Sequence, residues 1–318
     1  MYGYLIKRLC QGVILLFVLA SVTFFLFEAL PGNPVDVMIG PGAPHGVREA
    51  LIARFGFDQP IFTRYTKYLN NLLHGDLGWS YVYFQPVENI IKDKLIYTAA
   101  LFLPSAVLAY AFVLIGIPFI VLKRGSWLEK ITVQIIVLLR SSPLFWTGIF
   151  ALLIFSIGLK WFPLGGMRTP GSGSSLLSVD FLRHLALPCL VYAGYLVGLP
   201  ALLLKERMEA DLAKPYVDVV RAKGVRSSVI IYKHVLKNSM LPILTTAGAI
   251  IGIALGGQLA IEVVFSWPGL GRAIVKAIQT RDFAIAQAVF LIIGMMVVFA
   301  NLLVDLSYVL VDPRVTHD

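Results

Sequence analysis

The sequence predicts an all-α integral membrane protein of six transmembrane helices. Three observations predict it. The first is composition: of 318 residues, 58% are hydrophobic and only 14% charged, where soluble chains carry about 45–50% apolar and about 25% charged residues. The second is the presence of six runs, each supplying the roughly 20 mainly apolar residues that a helix needs to cross the hydrocarbon core. They lie at 9–27, 95–122, 131–159, 185–204, 239–261 and 283–304. The third is that the segments between the runs differ in charge. This composition argues against a soluble enzyme, a disordered chain or a nucleic-acid-binding tail. A net charge of +9 would suggest nucleic acid in a soluble protein. In a membrane chain it asks where along the sequence the excess sits. Cys10 and Cys189 are too few and too far apart to define a disulfide framework or a thiolate metal site.

The first run follows Lys7 and Arg8. It is longer than the about 7–15 residues of a signal-peptide core and no A-x-A site follows it, so it reads as an uncleaved span with its N-terminus in the cytosol. Six spans place both termini on the same side. Lys123, Arg124 and Lys130 fall on that side, as does the 205–238 loop, which carries eight basic and four acidic residues. The 30–94 segment between the first two runs balances six basic residues with six acidic ones. Positive residues favour the cytoplasmic face, so the 205–238 loop is expected in the cytosol and the 30–94 segment outside.

That outer segment opens on Pro31-Gly32-Asn33-Pro34 and Pro41-Gly42-Ala43-Pro44, both turn-forming. Tyr65, Tyr68, Leu69 and Leu72 then recur at i, i+3, i+4 and i+7, which predicts an amphipathic helix over 63–73 ending near Gly75. It would lie on the membrane surface or form part of a small external cap. In the cytosolic loop, Tyr216, Val217, Val220 and Gly224 share one side of a helical projection, with Arg221, Lys223 and Arg226 around them. Gly224 would end that helix, and 229–236 continues the apolar period. Such a helix suits a groove on a partner protein or a layer of anionic lipid headgroups. Near the fifth run's outer end, Pro268, Gly269 and Gly271 force a turn, a short helix is expected over 273–279, and Trp267 suits the aromatic belt at the membrane interface.

Several of these residues together carry a family resemblance. Arg221-Ala222-Lys223-Gly224, followed by His234-Val235-Leu236-Lys237-Asn238 and Leu241-Pro242, resembles the ATPase-coupling loop of inner-membrane permease subunits of binding-protein-dependent ABC importers. Within that family the chain is most similar to the first permease (B-type subunit) of the dipeptide, oligopeptide and nickel branch. Further matches are Phe55-Gly56-Phe57-Asp58-Gln59-Pro60, Gly75-Asp76-Leu77-Gly78 with Ser80, and Pro86-Val87. They continue through Phe145-Trp146 after Pro143, Glu262 with Phe265-Ser266-Trp267-Pro268-Gly269-Leu270-Gly271, and Asp305 with Asp312-Pro313-Arg314. They run from about residue 1 to 314. Two positions depart from the family's pattern: where the wider superfamily writes Glu-Ala-Ala before the Gly, this chain has Asp218-Val219-Val220, and Arg140 stands where the family is usually uncharged.

The resemblance implies the type I importer (MetI-like) fold. An N-terminal helix with an external cap would occupy 1–94, and a five-helix permease core with a cytosolic coupling loop at 205–238 would occupy 95–318. The chain would sit in the plasma (inner) membrane as a multi-pass protein and pair with a second homologous permease. Two ATPase subunits would bind Asp218, Arg221, Ala222, Lys223 and Gly224. An external binding protein would deliver substrate, with di- and oligopeptides the default and nickel, metal chelates or short oligosaccharides the alternatives. No cofactor is expected on this chain, ATP and Mg being held by the ATPases. Its sequence has no Gly-x-x-x-x-Gly-Lys-Ser/Thr and no His-Glu-x-x-His, so neither ATP hydrolysis by that loop nor zinc proteolysis is expected of it.

Two further residues are candidates. Counted along a continuous span, Arg140 lies about nine residues in, or about 13 Å, near mid-bilayer. Intramembrane charges usually face a bundle interior or an aqueous path, so it is read either as a packing or subunit-interface residue or as lining the pathway opposite a substrate carboxylate. Glu262, at the outer end of the fifth run, is read as a cap or interface ion-pair residue or as a gate contact. A stand-alone secondary transporter is the competing class. Against it, the spans contain no chain of carboxylates for protons or sodium.

Overall fold

A computed structural model of the chain describes residues 2–30, 35, 39, 46–171, 175–176, 178–240, 243 and 257–311. In chain order the elements are α1 (Tyr2–Glu28), α2 (Val47–Phe55), α3 (Ile61–Leu73), β1 (Trp79–Ser80), β2 (Gln85–Pro86) and α4 (Val87–Ala111). A π-helical turn, Phe112–Gly116, joins α4 to α5 (Ile117–Leu122), and α6 (Trp127–Ser141) follows. Next come α7 (Leu144–Ala151), running into a π-helical stretch Leu152–Gly158, then α8 (Val179–Leu212) and α9 (Pro215–Ala222). A further helix begins as α10 (Ser227–Val229), passes through a π turn at Ile230–Val235 and ends as α11 (Leu236–Ser239). The helix α12 covers 257–264, and α13 (Leu270–Gln279) and α14 (Phe283–Val311) complete the chain. It is an all-α membrane protein. Among the described residues, four helical stretches are long and apolar enough to cross a membrane, and a fifth if one bent pair counts as a single span. Most of the run expected at 239–261 falls outside the described residues, as do Pro31–Pro34, Pro41–Pro44, Leu241-Pro242 and 312–314.

The run at 131–159 departs from expectation. It is not one straight span: α6 and the helix from Leu144 to Gly158 meet at 111°. The cause lies in Ser142-Pro143. Proline has no amide hydrogen to donate and pushes the residue before it into extended backbone. Ser142 accordingly has φ −81° and ψ 136°. Composition alone reads straight through this break, because both halves are apolar.

The chain forms two compact units. The first comprises residues 1–98 with 268–298. Here the predicted amphipathic helix appears as α3, and its aromatic side packs on the end of α1. Phe24 stacks on Tyr68 with centroids 5.2 Å apart, Tyr65 lies 5.3 Å from the same ring, and Ser21 and Tyr65 share a hydrogen bond of 2.7 Å. Arg64 pairs with Glu28. The opposite side, with Phe62 and Leu73, stays exposed. Helices α1 and α14 touch closely because Gly12 faces Val298 and Gly294 faces Leu19 with no room for a Cβ at either. Small residues of this kind permit tight helix contacts in membranes. The two-residue strands pair antiparallel, Trp79 opposite Pro86. Ser80, fully buried, donates to the Asp282 carboxylate at 2.5 Å, and the Val82 amide reaches the same oxygen at 3.3 Å. Burial holds the Asp282 carboxyl above the usual carboxylate range, against the pull of those donors. The expected short helix after Trp267 is present as α13, and Thr98 caps its start by accepting the Leu270 amide at 2.8 Å.

The second unit comprises 99–267 and 299–318. Its centre is α8, where Tyr192, Ala201 and Leu204 are fully buried. This helix is 34 residues long, longer than the expected 185–204 run, and extends beyond it at both ends. Ser178 caps its start by accepting the Phe181 amide. Trp267 is another departure. It is wholly buried, with its ring 5.6 Å from Phe181, so it is a packing residue of this unit and not part of an interfacial belt. The nearby turn is tight enough that Gly166 donates to the Phe265 carbonyl at 2.8 Å, and Ser266 takes φ +53°.

Candidate functional site

The site assembled from the sequence motif is α9 and its flanks, all within the second unit. Pro215 stands at the first helical position, where its missing amide costs nothing. The helix stops at Ala222, and Gly224 follows in left-handed backbone, φ +76°. That conformation is accessible to glycine and unfavourable for most other residues.

One side of α9 is anchored in its own chain. Val217 is fully buried and Tyr216 half-buried. The Tyr216 hydroxyl donates to Asp211, a buried carboxylate at the end of α8, and accepts from the Asn238 amide at 3.3 Å. Burial, with the carboxylate bond second, holds the Tyr216 phenol above its usual range. Lys214 reaches the other Asp211 oxygen at 2.6 Å. The apolar stripe read from the sequence is therefore used inward. What α9 presents outward is Asp218, Val219, Arg221, Ala222 and Lys223, all exposed. Asp218 and Arg221 face each other at 3.2 Å across one turn. With Asp218 in the first turn and Arg221 in the last, both charges suit the helix dipole.

The base of α8 is fixed by a second set of charges. Lys205 lies 2.8 Å from both Glu129 and Glu209, and Arg124 lies 3.6 Å from Glu209. Neither this set nor the Asp211–Tyr216–Asn238 cluster was singled out from the sequence. Lys205 and Glu209 were visible as an i,i+4 pair. The five-residue spacing of Asp211 and Tyr216 and the 27-residue gap to Asn238 match no helical period, so no local signal marked that cluster.

The structure does not bring Arg140 and Glu262 to α9. Arg140 lies in the last turn of α6, two residues before the break, with its side chain exposed. The mid-bilayer depth inferred for it assumed a continuous span, and that assumption fails at Ser142-Pro143. Its charge sits at the end of α6, where unsatisfied carbonyls favour a cation. The stem of Arg140 packs closely on Gly198 of α8, where an added Cβ would lie 3.0 Å from the Arg140 Cβ. Glu262 is fully buried in α12 and accepts from the Gln258 amide at 3.2 Å. Its backbone carbonyl accepts the Trp267 amide at 2.8 Å.

The first unit holds a cavity of about 440 Å³ lined by Phe24, Phe55, Trp79, Tyr81, Arg64 and Lys67 among others. Burial lifts the Tyr81 phenol above its usual range, with the Asp282 charge adding to it, and burial pushes the Tyr68 phenol up to about 12.

Two family models match the chain and together cover most of it. Residues 112–317 match the inner membrane component of binding-protein-dependent transport systems. Residues 1–102 match the N-terminal membrane component of the same systems. Curated relatives align end to end. A putative peptide permease of Brucella suis is 38% identical over 99% of each chain. The oligopeptide transport system permease of Bacillus subtilis is 33% identical over 100% of each. The glutathione transport system permease of Shigella flexneri is 31% identical over 100% of each. The helical architecture, the apolar spans and these matches agree on a multi-pass inner-membrane permease subunit of an ABC importer, a transport component that works with a substrate-binding protein and ATPase subunits. The chain belongs to the family of inner membrane components of binding-protein-dependent transport systems.

Proposed function

We propose that the chain is one of two homologous permease subunits in a peptide importer, and that two ATPase subunits drive it through α9. The observation that carries this reading is the division of α9 into two sides. Tyr216 and Val217 tie it to its own chain, while Asp218, Val219, Arg221, Ala222 and Lys223 are left to solvent beside the φ-positive Gly224. A short helix held firmly on one side and bare on the other can be pushed as a rigid body. When the ATPases close on ATP, that push would pass to α8 through the Asp211–Tyr216 bond and rock the spans between two access states.

In this reading 1–94 is the N-terminal span with its external cap and 95–318 the permease core. Both termini lie in the cytosol, where the basic 205–238 loop meets the ATPases. ATP and Mg belong to those partners and no cofactor or catalytic step to this chain. Peptides are the cargo named for the relatives, and they are the cargo proposed for this chain.

The test is a photo-cross-linking amino acid at Val219, the exposed apolar residue of α9. The reading predicts a covalent product with an ATPase subunit in intact membranes, and none from Leu15, which lies exposed on α1. Cross-linking from Val219 to lipid alone would overturn it in favour of a headgroup-bound helix.

A further inference from the structure

The second unit contains two π-helical turns that meet. Ile230–Val235, which follows α9 after a short connection, packs against α5. Phe112–Gly116 lies immediately before α5. Isolated π turns mark places where a helix's hydrogen-bond ladder is out of register, and they concentrate at functional positions. The ladder at 112–118 is weakened a second time by Pro118, which has no amide to donate. Between the two turns a single side chain makes a directed polar contact: the Tyr232 hydroxyl donates to the Ile115 carbonyl at 2.8 Å, across 117 positions of sequence. Around it the contact is apolar, with Ile230, Ile231 and Val235 buried on one side and Ile117, Ile120 and Val121 on the other. The tyrosine itself is not buried: it is 38% exposed, and Ile115 is 64% exposed. An exposed tyrosine contributes little packing, so the consequence of this contact lies in which backbone group it holds.

We infer that Tyr232 is a positioning residue for energy coupling: its hydroxyl ties the helix behind α9 to the weak point of the α4–α5 rod. The inference rests on the proposed role of α9. Displacement of α9 carries the Ile230–Val235 turn with it, since only Lys223–Arg226 separates α9 from α10. The apolar contact alone can slide, because it has no directional component. The Tyr232 bond converts sliding into a pull on the carbonyl of Ile115, at the one stretch of this rod where a π turn and a proline leave the backbone free to bend. Without the hydroxyl, the ATPases would still dock on α9 and cycle, but less of each stroke would reach the second span.

The test compares Tyr232→Phe with the unaltered chain in the full reconstituted complex of permeases, ATPases and binding protein. The probe is a radiolabelled tripeptide bound by that binding protein, and the readouts are transport per ATP hydrolysed and the melting temperature. The expected result is a fall of about threefold to tenfold in transport per ATP, the equilibrium weight of one net hydrogen bond, with the ATPase rate unchanged and the melting temperature lowered by no more than about 2 °C. An unchanged ratio overturns the inference. So does a parallel fall in transport and ATPase rate with a melting temperature lowered beyond that, which marks a purely structural bond. Absence of ATP-driven uptake by the unaltered complex is a separate result. It overturns the proposed function itself, and Tyr232's role with it.

Discussion

Gly224 gives the sharpest quantitative prediction about α9. Its φ is +76°, and no atom lies within 4 Å of the position a Cβ would take. A substitution there meets no steric barrier, so its whole cost is conformational. Placing an ordinary L-residue in left-handed backbone costs about 1–2 kcal/mol, and every 1.4 kcal/mol is tenfold in an equilibrium. Gly224→Ala should therefore lower the equilibrium ratio of correctly to incorrectly terminated α9 by about fivefold to thirtyfold, and Gly224→Val by more, since β-branched residues are genuine outliers in that region. Gly224→Asn should stay near the unaltered chain, because asparagine tolerates left-handed backbone. The assay is transport per ATP in proteoliposomes, with the amount of chain inserted as the control. Expected is a ranking of Gly, Asn, Ala and Val in falling order, with insertion unchanged. If Ala matched Gly while Asn and Val both failed, side-chain volume at an ATPase contact would be the determinant, and the reasoning from φ would be refuted.

Three further predictions follow from the same contacts. Tyr216→Phe removes a hydrogen bond to a carboxylate, worth about 1.5–3 kcal/mol, and should loosen α9, read as a loss of cross-linking from Val219 to the ATPase. Asp282→Asn should flatten a pH dependence: burial raises the carboxyl's pKa in the folded cap, so its stabilisation is present below the unfolded value of about 3.9 and is lost as pH rises through the raised folded value. Thermal melting of the unaltered chain should therefore weaken from acid toward neutral pH at this site, and the Asn variant should not share that slope. Arg140→Gln should lower uptake of free-carboxylate and amidated peptides equally, because the charge completes the end of α6 and is worth about 0.3–1 kcal/mol there. Selective loss of carboxylate-bearing substrates in a competition assay would assign Arg140 to the pathway.

The legible part of this chain was local and periodic. The 3.6-residue recurrence of Tyr65, Tyr68, Leu69 and Leu72 marked α3, and Gly224 marked the end of α9, because both signals lie within one or two helical turns. The motif proposed for coupling is visible in the sequence only as residue types in order. Which side of α9 is free is not visible there, since Val217 is buried by packing and Tyr216 is held by Asp211 and by Asn238, partners that no helical period links to it. The 111° bend at Ser142-Pro143 was hidden for a different reason. Apolar content has no direction, so two half-length helices of apolar residues add up to the same total as one span. That break also puts Arg140 in the last turn of a helix, where a continuous span would have placed it in the interior of one. Trp267 looked interfacial because tryptophan is amphipathic, yet the Phe265–Gly271 turn folds it onto Phe181. Ser80 and Asp282 meet across 202 positions, a contact that no single-sequence period encodes.

The central claim is that ATP bound by partner subunits drives cargo through this chain. It is tested most directly by uptake of a labelled oligopeptide into proteoliposomes holding the complete complex, with binding protein outside and ATP inside. The account predicts accumulation that needs both the ATP and the binding protein and persists after proton and sodium gradients are collapsed. Uptake by this chain alone, driven by an ion gradient and indifferent to ATP, would contradict it.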